Sequence, residues 1–208
     1  MRVDLHVHTS EYSACAISSE KEQIETAIAR GLDGIALTEH GIQRKQADLD
    51  RLNRKYAPFK IFTGVEVNVV GSYEDILVIG VPDMTEYNGG RREYKSIWEY
   101  QDLYKFVHER GGFIAVPHPF RHGDKVKTDV VSFVPDALEL KSKNIDPGNA
   151  KLIKALAREL GIKTIVASDS HHVKNTGTHH LVLHNAVHTD EDLVRELKSG
   201  QYEHGEIR

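Results

Sequence analysis

The sequence predicts an α/β protein whose mainly parallel strands are covered by helices. Short apolar runs with strand character recur along the chain, and amphipathic helical segments separate most of them. Residues able to bind metals stand repeatedly where those runs stop. Roughly seven strands in a chain of 208 residues fit a compact α/β barrel with short connections, and an open sheet is the alternative. No internal repeat, low-complexity tract or linker interrupts the alternation, so one domain over residues 1–208 is expected.

The first strand is read from the alternation of Val3, Leu5 and Val7 with Asp4, His6 and His8. Successive side chains of a strand point to opposite faces, so both histidines look the same way. Ser18 and Ser19 can cap a helix that runs to about Arg30 and stops at Gly31. A buried-type strand follows at 34–38, ending in Glu39 and His40. A polar helix spans 43–56, with Pro58 beyond it. Strands at 61–70 and 75–80 are joined through Gly71-Ser72 and read as a hairpin-like pair. Residues 82–94 read as a loop and 96–110 as a helix stopped by Gly111-Gly112. The strand at 113–116 is closed by Pro117-His118-Pro119, and a loop over 121–135 leads to a strand at 137–140. A helix at 149–160 stops at Gly161. A strand at 164–167 runs into Ser168-Asp169-Ser170-His171-His172, and a short strand at 181–183 and a helix at 190–198 complete the chain.

Composition narrows the function. Formal net charge is -4 and pI about 6.3, so no overall basic field draws the chain to nucleic acid or anionic membrane. No apolar run approaches the ~20 residues of a membrane helix. The N-terminus lacks a basic-then-apolar leader, and the single Cys15 rules out an internal disulfide, so a cytoplasmic location is expected. The sequence sets no oligomeric state.

The unusual count is 13 histidines. A lone pair such as His6 and His8 fits a polar strand face as readily as a metal site. Further ligand-type residues recur at strand ends, however. Glu39 and His40 end one strand, Glu66 lies within the next, Asp75 opens another, His118 closes one, and Asp169 and His171 close another. Active sites of α/β barrels and open parallel sheets form at that edge. Nitrogen and oxygen donors without a cysteine-rich set suit Zn, Mn or Fe. The donors are too many for one tetrahedral ion, and sites with two metals characteristically hydrolyse phosphate esters.

DLHVHT, LTEH, GVEV, VPHPFR and ASDSHH, in this order and over essentially the whole chain, resemble the PHP family, named for polymerase and histidinol phosphatase. The resemblance implies a distorted (β/α)7 barrel with a two- or three-metal centre at its carboxyl-end face. It implies one ion on His6, His8, Glu66 and Asp169, with Glu66 bridging to a second ion held by His118 and Asp75. Members often carry His where this chain has Asp75. A third ion would take His40, His171 and a side chain from the loop after His8, where many members have Asp or His. Here that loop reads HTSEYSACA, with Ala14 near the expected place. Glu11 is expected as the substitute and Cys15 as the weaker candidate.

Arg121 directly follows His118-Pro119-Phe120, where a guanidinium can grip a phosphate in bidentate fashion. His122, Lys143 and Arg44 are further phosphate candidates, Glu139 a supporting residue, and His180 a residue that could face the cleft. The expected activity is hydrolysis of a small phosphomonoester, histidinol phosphate or a nucleotide-like compound, by a metal-activated hydroxide. Asp169 would orient the water and His171 protonate the leaving group. The alternatives are a metal-dependent nuclease or phosphodiesterase and, in another class, a metal-binding regulatory module without turnover. The charge of -4 weighs against nucleic acid as a partner. No GxSxG elbow supports Ser168 as a nucleophile.

Overall fold

The computed structural model describes residues 1–72, 74–81, 83–84 and 98–207. The first half of the chain comprises β1 (Arg2–Val7), α1 (Glu20–Ala29), β2 (Gly34–Leu37), α2 (Gln46–Tyr56), β3 (Lys60–Asn68) and β4 (Asp75–Ile79). The second half comprises α3 (Tyr100–Glu109), β5 (Phe113–Val116), β6 (Ala137–Lys141), α4 (Ala150–Leu160), β7 (Lys163–Val166), β8 (His179–Leu183), α5 (Asp190–Ser199) and β9 (Tyr202–Glu206). Nearly all of the 82–94 segment read as a loop lies outside the described residues. The helix expected from residue 96 starts at Tyr100.

The first seven strands lie side by side in chain order, and β8 and β9 extend the sheet beyond β1. The sheet curls into a nearly closed barrel. The seven-strand run closes where Val7 of β1 bridges Ser170, just after β7. There His8 N–H donates to the Ser170 carbonyl at 2.9 Å and Ser170 N–H to that of His6 at 3.1 Å. Asp4 fastens the same seam. Its buried carboxylate accepts the backbone N–H groups of His6, Ser168 and Gly177 at 3.2, 3.0 and 2.9 Å. Burial pushes its pKa up to about 6 against those bonds.

The expected parallel arrangement holds for only half of the ladder. The pairs β1–β2, β2–β3, β5–β6 and β6–β7 are parallel, whereas β3–β4, β4–β5, β1–β8 and β8–β9 are antiparallel. The connection from Asn68 to Asp75 is too short for a crossover, so β4 must run back along β3. That reversal has a consequence for the site. Asp75 begins a descending strand and therefore stands on the rim where ascending strands end.

Two apolar clusters support this rim. One packs α1 and α2 on the outside of β1–β3 through Ile24, Ala27, Leu49 and Leu52 against Ile35, Leu37 and Ile61. The larger one unites β3–β8 with α3, α4 and α5. Ser19 and Glu22 form a reciprocal capping box on α1, and Gly161 and Gly200 take left-handed conformations that end α4 and α5. Strand β9 escaped the sequence reading, because YEHGE has no apolar alternation. It pairs with β8, and its Gly205 leaves room for His180, whose Nε2 would lie 2.2 Å from a Cβ there. His180 thus packs within the antiparallel β8–β9 pair, with Nδ1 bonded to the Gly177 carbonyl at 3.0 Å, and does not line the cleft. Among the described residues no helix is long and apolar enough to cross a membrane.

Candidate metal centre

One rim of the barrel gathers eight ligand-type side chains. His6 and His8 come from the end of β1, His40 from just beyond β2, Glu66 from β3, Asp75 from the start of β4, His118 from beyond β5, and Asp169 and His171 from beyond β7. Glu66 stands at the centre, 1% exposed. Its Oε1 lies 3.4 Å from His6 Nε2 and 3.0 Å from His118 Nε2. Its Oε2 lies 3.3 Å from His8 Nε2 and 2.9 Å from His40 Nδ1. Asp169 Oδ1 is 3.4 Å from the Nε2 atoms of His6 and His8 and from His171 Nδ1. Asp75 is 3.9 Å from His118.

These residues form three groups, within each of which the ligand atoms lie within 4.8 Å of one another: His6, His8 and Asp169; Glu66, Asp75 and His118; and His8, His40 and His171, the first and last sharing His8. The donors fit bound metal ions. His6 Nε2 and His8 Nε2 are fully buried without a hydrogen-bond partner, an arrangement that costs about 1–3 kcal/mol per group unless something else satisfies it. Ligands about 2.1 Å from a tetrahedral ion stand about 3.4 Å apart, which is the spacing found around these nitrogens.

Surrounding residues aim the ligands. Glu139 Oε1 accepts from His6 Nδ1 at 3.1 Å, and its Oε2 accepts the His118 backbone N–H at 2.9 Å. A carboxylate on Nδ1 turns Nε2 toward Glu66 and Asp169 and raises its basicity. His8 Nδ1 lies 3.3 Å from Ser13 Oγ, which donates to Glu39 at 2.7 Å. Asn68 donates to Asp75 at 3.0 Å and Asn144 to Asp169 Oδ2 at 2.5 Å. Sequence reasoning missed Asn144, because it sits in a loop without a strand to place it. His118 and Asp169 have φ of 31° and 52°, which for such residues costs on the order of 1–3 kcal/mol each. These turns swing both side chains back over the rim.

Charge is balanced inside the cluster. Burial opposes ionisation of Glu66 and Asp169, yet His6 with His40, and His6 with His8, hold them well below the usual carboxylate range. Burial likewise disfavours a charged His40, but Glu66 and Cys15 outweigh it and raise its pKa to about 10. Burial, helped by His40, takes His8 down to about 3, so it remains a neutral ligand. Burial and the neighbouring Glu66 push Asp75 up.

Arg121 and His122 line the same cavity, together with Cys15, Asn68 and Asn144. Left-handed φ at His118 and Phe120 folds the chain so that Arg121 N–H reaches the His118 carbonyl at 3.2 Å. Three candidates are not brought there. Glu11 caps α1 instead, its carboxylate accepting the Glu20 backbone N–H at 2.9 Å. Lys143 is exposed and outside the cavity lining. Arg44 is buried, bonded to Glu39, Glu20 and Thr9 and stacked on Tyr12 at 4.3 Å, so it holds the 9–13 loop rather than a phosphate.

Similar folds occur in solved structures. The protein PsfC from Pseudomonas syringae superposes with a TM-score of 0.71 at 21% identity, over 99% of this chain and 91% of that one. A two-domain protein from Bacteroides vulgatus, described as containing a predicted PHP-like metal-dependent phosphoesterase, gives 0.72 at 14%, over 99% and 64%. A Chromobacterium violaceum amidohydrolase with bound sulfate gives 0.64 at 16%, over 96% and 97%. No curated protein matches the sequence. The model of the PHP domain matches residues 4–203, and with that extent the chain belongs to the PHP domain family.

Proposed function

We propose that this protein is a metal-dependent phosphoesterase that hydrolyses a small phosphomonoester. The supporting observation is the unpartnered, buried His6 and His8 nitrogens packed against Glu66 and Asp169, two carboxylates that line a cavity with Arg121. Two or three divalent ions, Zn, Mn or Fe, match the donor set. Bound there, such ions supply Lewis acidity and acidify a water for attack on phosphorus.

The chain's own residues supply positioning and proton transfer. Arg121 binds phosphoryl oxygens through paired N–H groups. Asn144 fixes one oxygen of Asp169, leaving the other to orient the attacking water. Where no ion sits between His40 and His171, His171, half-buried at the rim, carries a proton to the leaving alkoxide. A cavity of ≈ 340 Å³, lined among the described residues only by polar side chains and Cys15, suits a compact, polar substrate. Among the described residues no Phe, Tyr or Trp side chain lines the cavity, and no overall basic field favours a polynucleotide.

The test loads the metal-free protein with Zn, Mn or Fe and follows phosphate release from p-nitrophenyl phosphate. Bis-p-nitrophenyl phosphate, a single-stranded oligonucleotide and a simple amide serve as rivals. Faster turnover of the monoester is expected. Preference for the diester or oligonucleotide would move the assignment to a phosphodiesterase, preference for the amide to an amidohydrolase, and bound metal without any turnover to a binding role.

A further inference from the structure

The third group of ligands has three imidazoles, and the loop after His8 brings no oxygen donor to it. His8, His40 and His171 bring their ligand atoms within 4.8 Å of one another, and the fully buried His8 Nε2, beside Glu66 and Asp169, has no hydrogen-bond partner. Glu11 is occupied at the N-terminus of α1, and Ala14 offers no donor atom. The backbone brackets the intervening residue between two of the histidines. Ser13 Oγ accepts the His40 backbone N–H at 3.2 Å, and Ile17 N–H donates to the His171 carbonyl at 2.8 Å. Midway between them, Cys15 lines the cavity with His40 and His171, and its side chain hydrogen-bonds the His40 ring. The side chain is exposed and short, so it turns toward an ion about one bond, χ1.

We propose, resting on the metal-centre reading above, that Cys15 supplies a thiolate ligand to an ion held by His40 and His171. On binding, a sulfur–metal bond forms and the thiol proton leaves to solvent, with no change of oxidation state. A soft sulfur donor biases this position toward zinc and away from manganese, unlike the all-nitrogen-and-oxygen positions beside it.

The chain contains one cysteine, so any sulfur-to-metal signal can come only from Cys15. The metal-free protein is titrated with cobalt(II) to saturation, and bound cobalt is counted by elemental analysis. The wild type is expected to develop the near-ultraviolet sulfur-to-cobalt charge-transfer band. Cys15→Ser should lose the band and bind its weakest ion at least about tenfold less tightly. Cys15→Asp should lack the band yet recover the stoichiometry through an oxygen donor. Cobalt bound at saturation without the band in the wild type overturns the proposal and leaves the metal centre standing. No cobalt bound at all overturns the metal centre, and this proposal with it.

Discussion

Glu139 carries two loads from one carboxylate, accepting from the His6 ring on one oxygen and from the His118 backbone on the other. It is 0% exposed, so a neutral replacement keeps the shape and removes the charge that makes His6 a good ligand. Glu139→Gln is expected to lower metal affinity by about 10–100-fold, read by competition with a chelator. Unchanged affinity would reduce Glu139 to a packing role. Arg121 acts on a different quantity. Arg121→Ala should raise KM for the monoester and lower kcat/KM by about tenfold or more while metal content stays constant, since its side chain lines the cavity and its bond to His118 runs through the backbone, which the substitution keeps. Arg121→Lys should recover only part of that, because an ammonium offers a point charge where a fork is needed. A fall in metal content with either variant would place Arg121 among the structural supports. The eight ligand-type residues themselves were legible in the sequence, since each stands at or next to a strand end. Glu11 against Cys15 was not, because the path of the 9–17 loop is set by Glu39, Arg44 and the His171 carbonyl rather than by local preference.

At the level of elements, helices α1, α4 and α5 were readable from their caps and stops, and the helix boundaries moved by only a few residues. Strand direction was harder to read, since parallel and antiparallel neighbours share the same apolar runs. Helix α3 is also tied down by charge. His108 lies 3.4 Å from Asp136, which accepts the Ile114 backbone N–H at 2.8 Å and so anchors the helix to β5. The bond to Asp136, against partial burial, raises the pKa of His108. A histidine whose pKa is raised on folding stabilises the fold fully below its unfolded value of about 6.5, and that contribution is lost as pH rises through the folded pKa. Melting curves of His108→Gln should therefore show a deficit against the wild type near about pH 5.5 that shrinks toward about pH 9. An equal deficit at both would mean the contact does not depend on the charge.

Across the whole molecule, the metal centre and barrel closure share one seam. Asp169 and His171 sit beside Ser170, which pairs with β1 between His6 and His8. An ion held across that seam ties β1 to the chain after β7, so it binds the folded state and not the unfolded one. Free metal at about 100 times its Kd should add about 2.7 kcal/mol to stability, seen as a rise in Tm that a chelator reverses. A Tm indifferent to metal and chelator would separate the ions from the seam. The family's barrel was legible because its strand-end motifs keep their order along nearly the whole chain. Strand β9 was not legible, because its pairing follows from the exposed edge of β8 rather than from any pattern in YEHGE.

The sequence by itself determined which ligand-type side chains the chain offers, and that most of them stand at or just past strand ends, because side-chain alternation and capping are local properties. Tertiary structure alone decided that these ends share one rim. The short β3–β4 connection reverses a strand and so puts Asp75, at that strand's start, beside His118, from the end of an ascending one. It alone decided that Glu11 caps a helix while Cys15 meets His40, and that Asn144 holds Asp169. Each of those contacts joins segments far apart along the chain or turns on a loop's path, and no local preference fixes either.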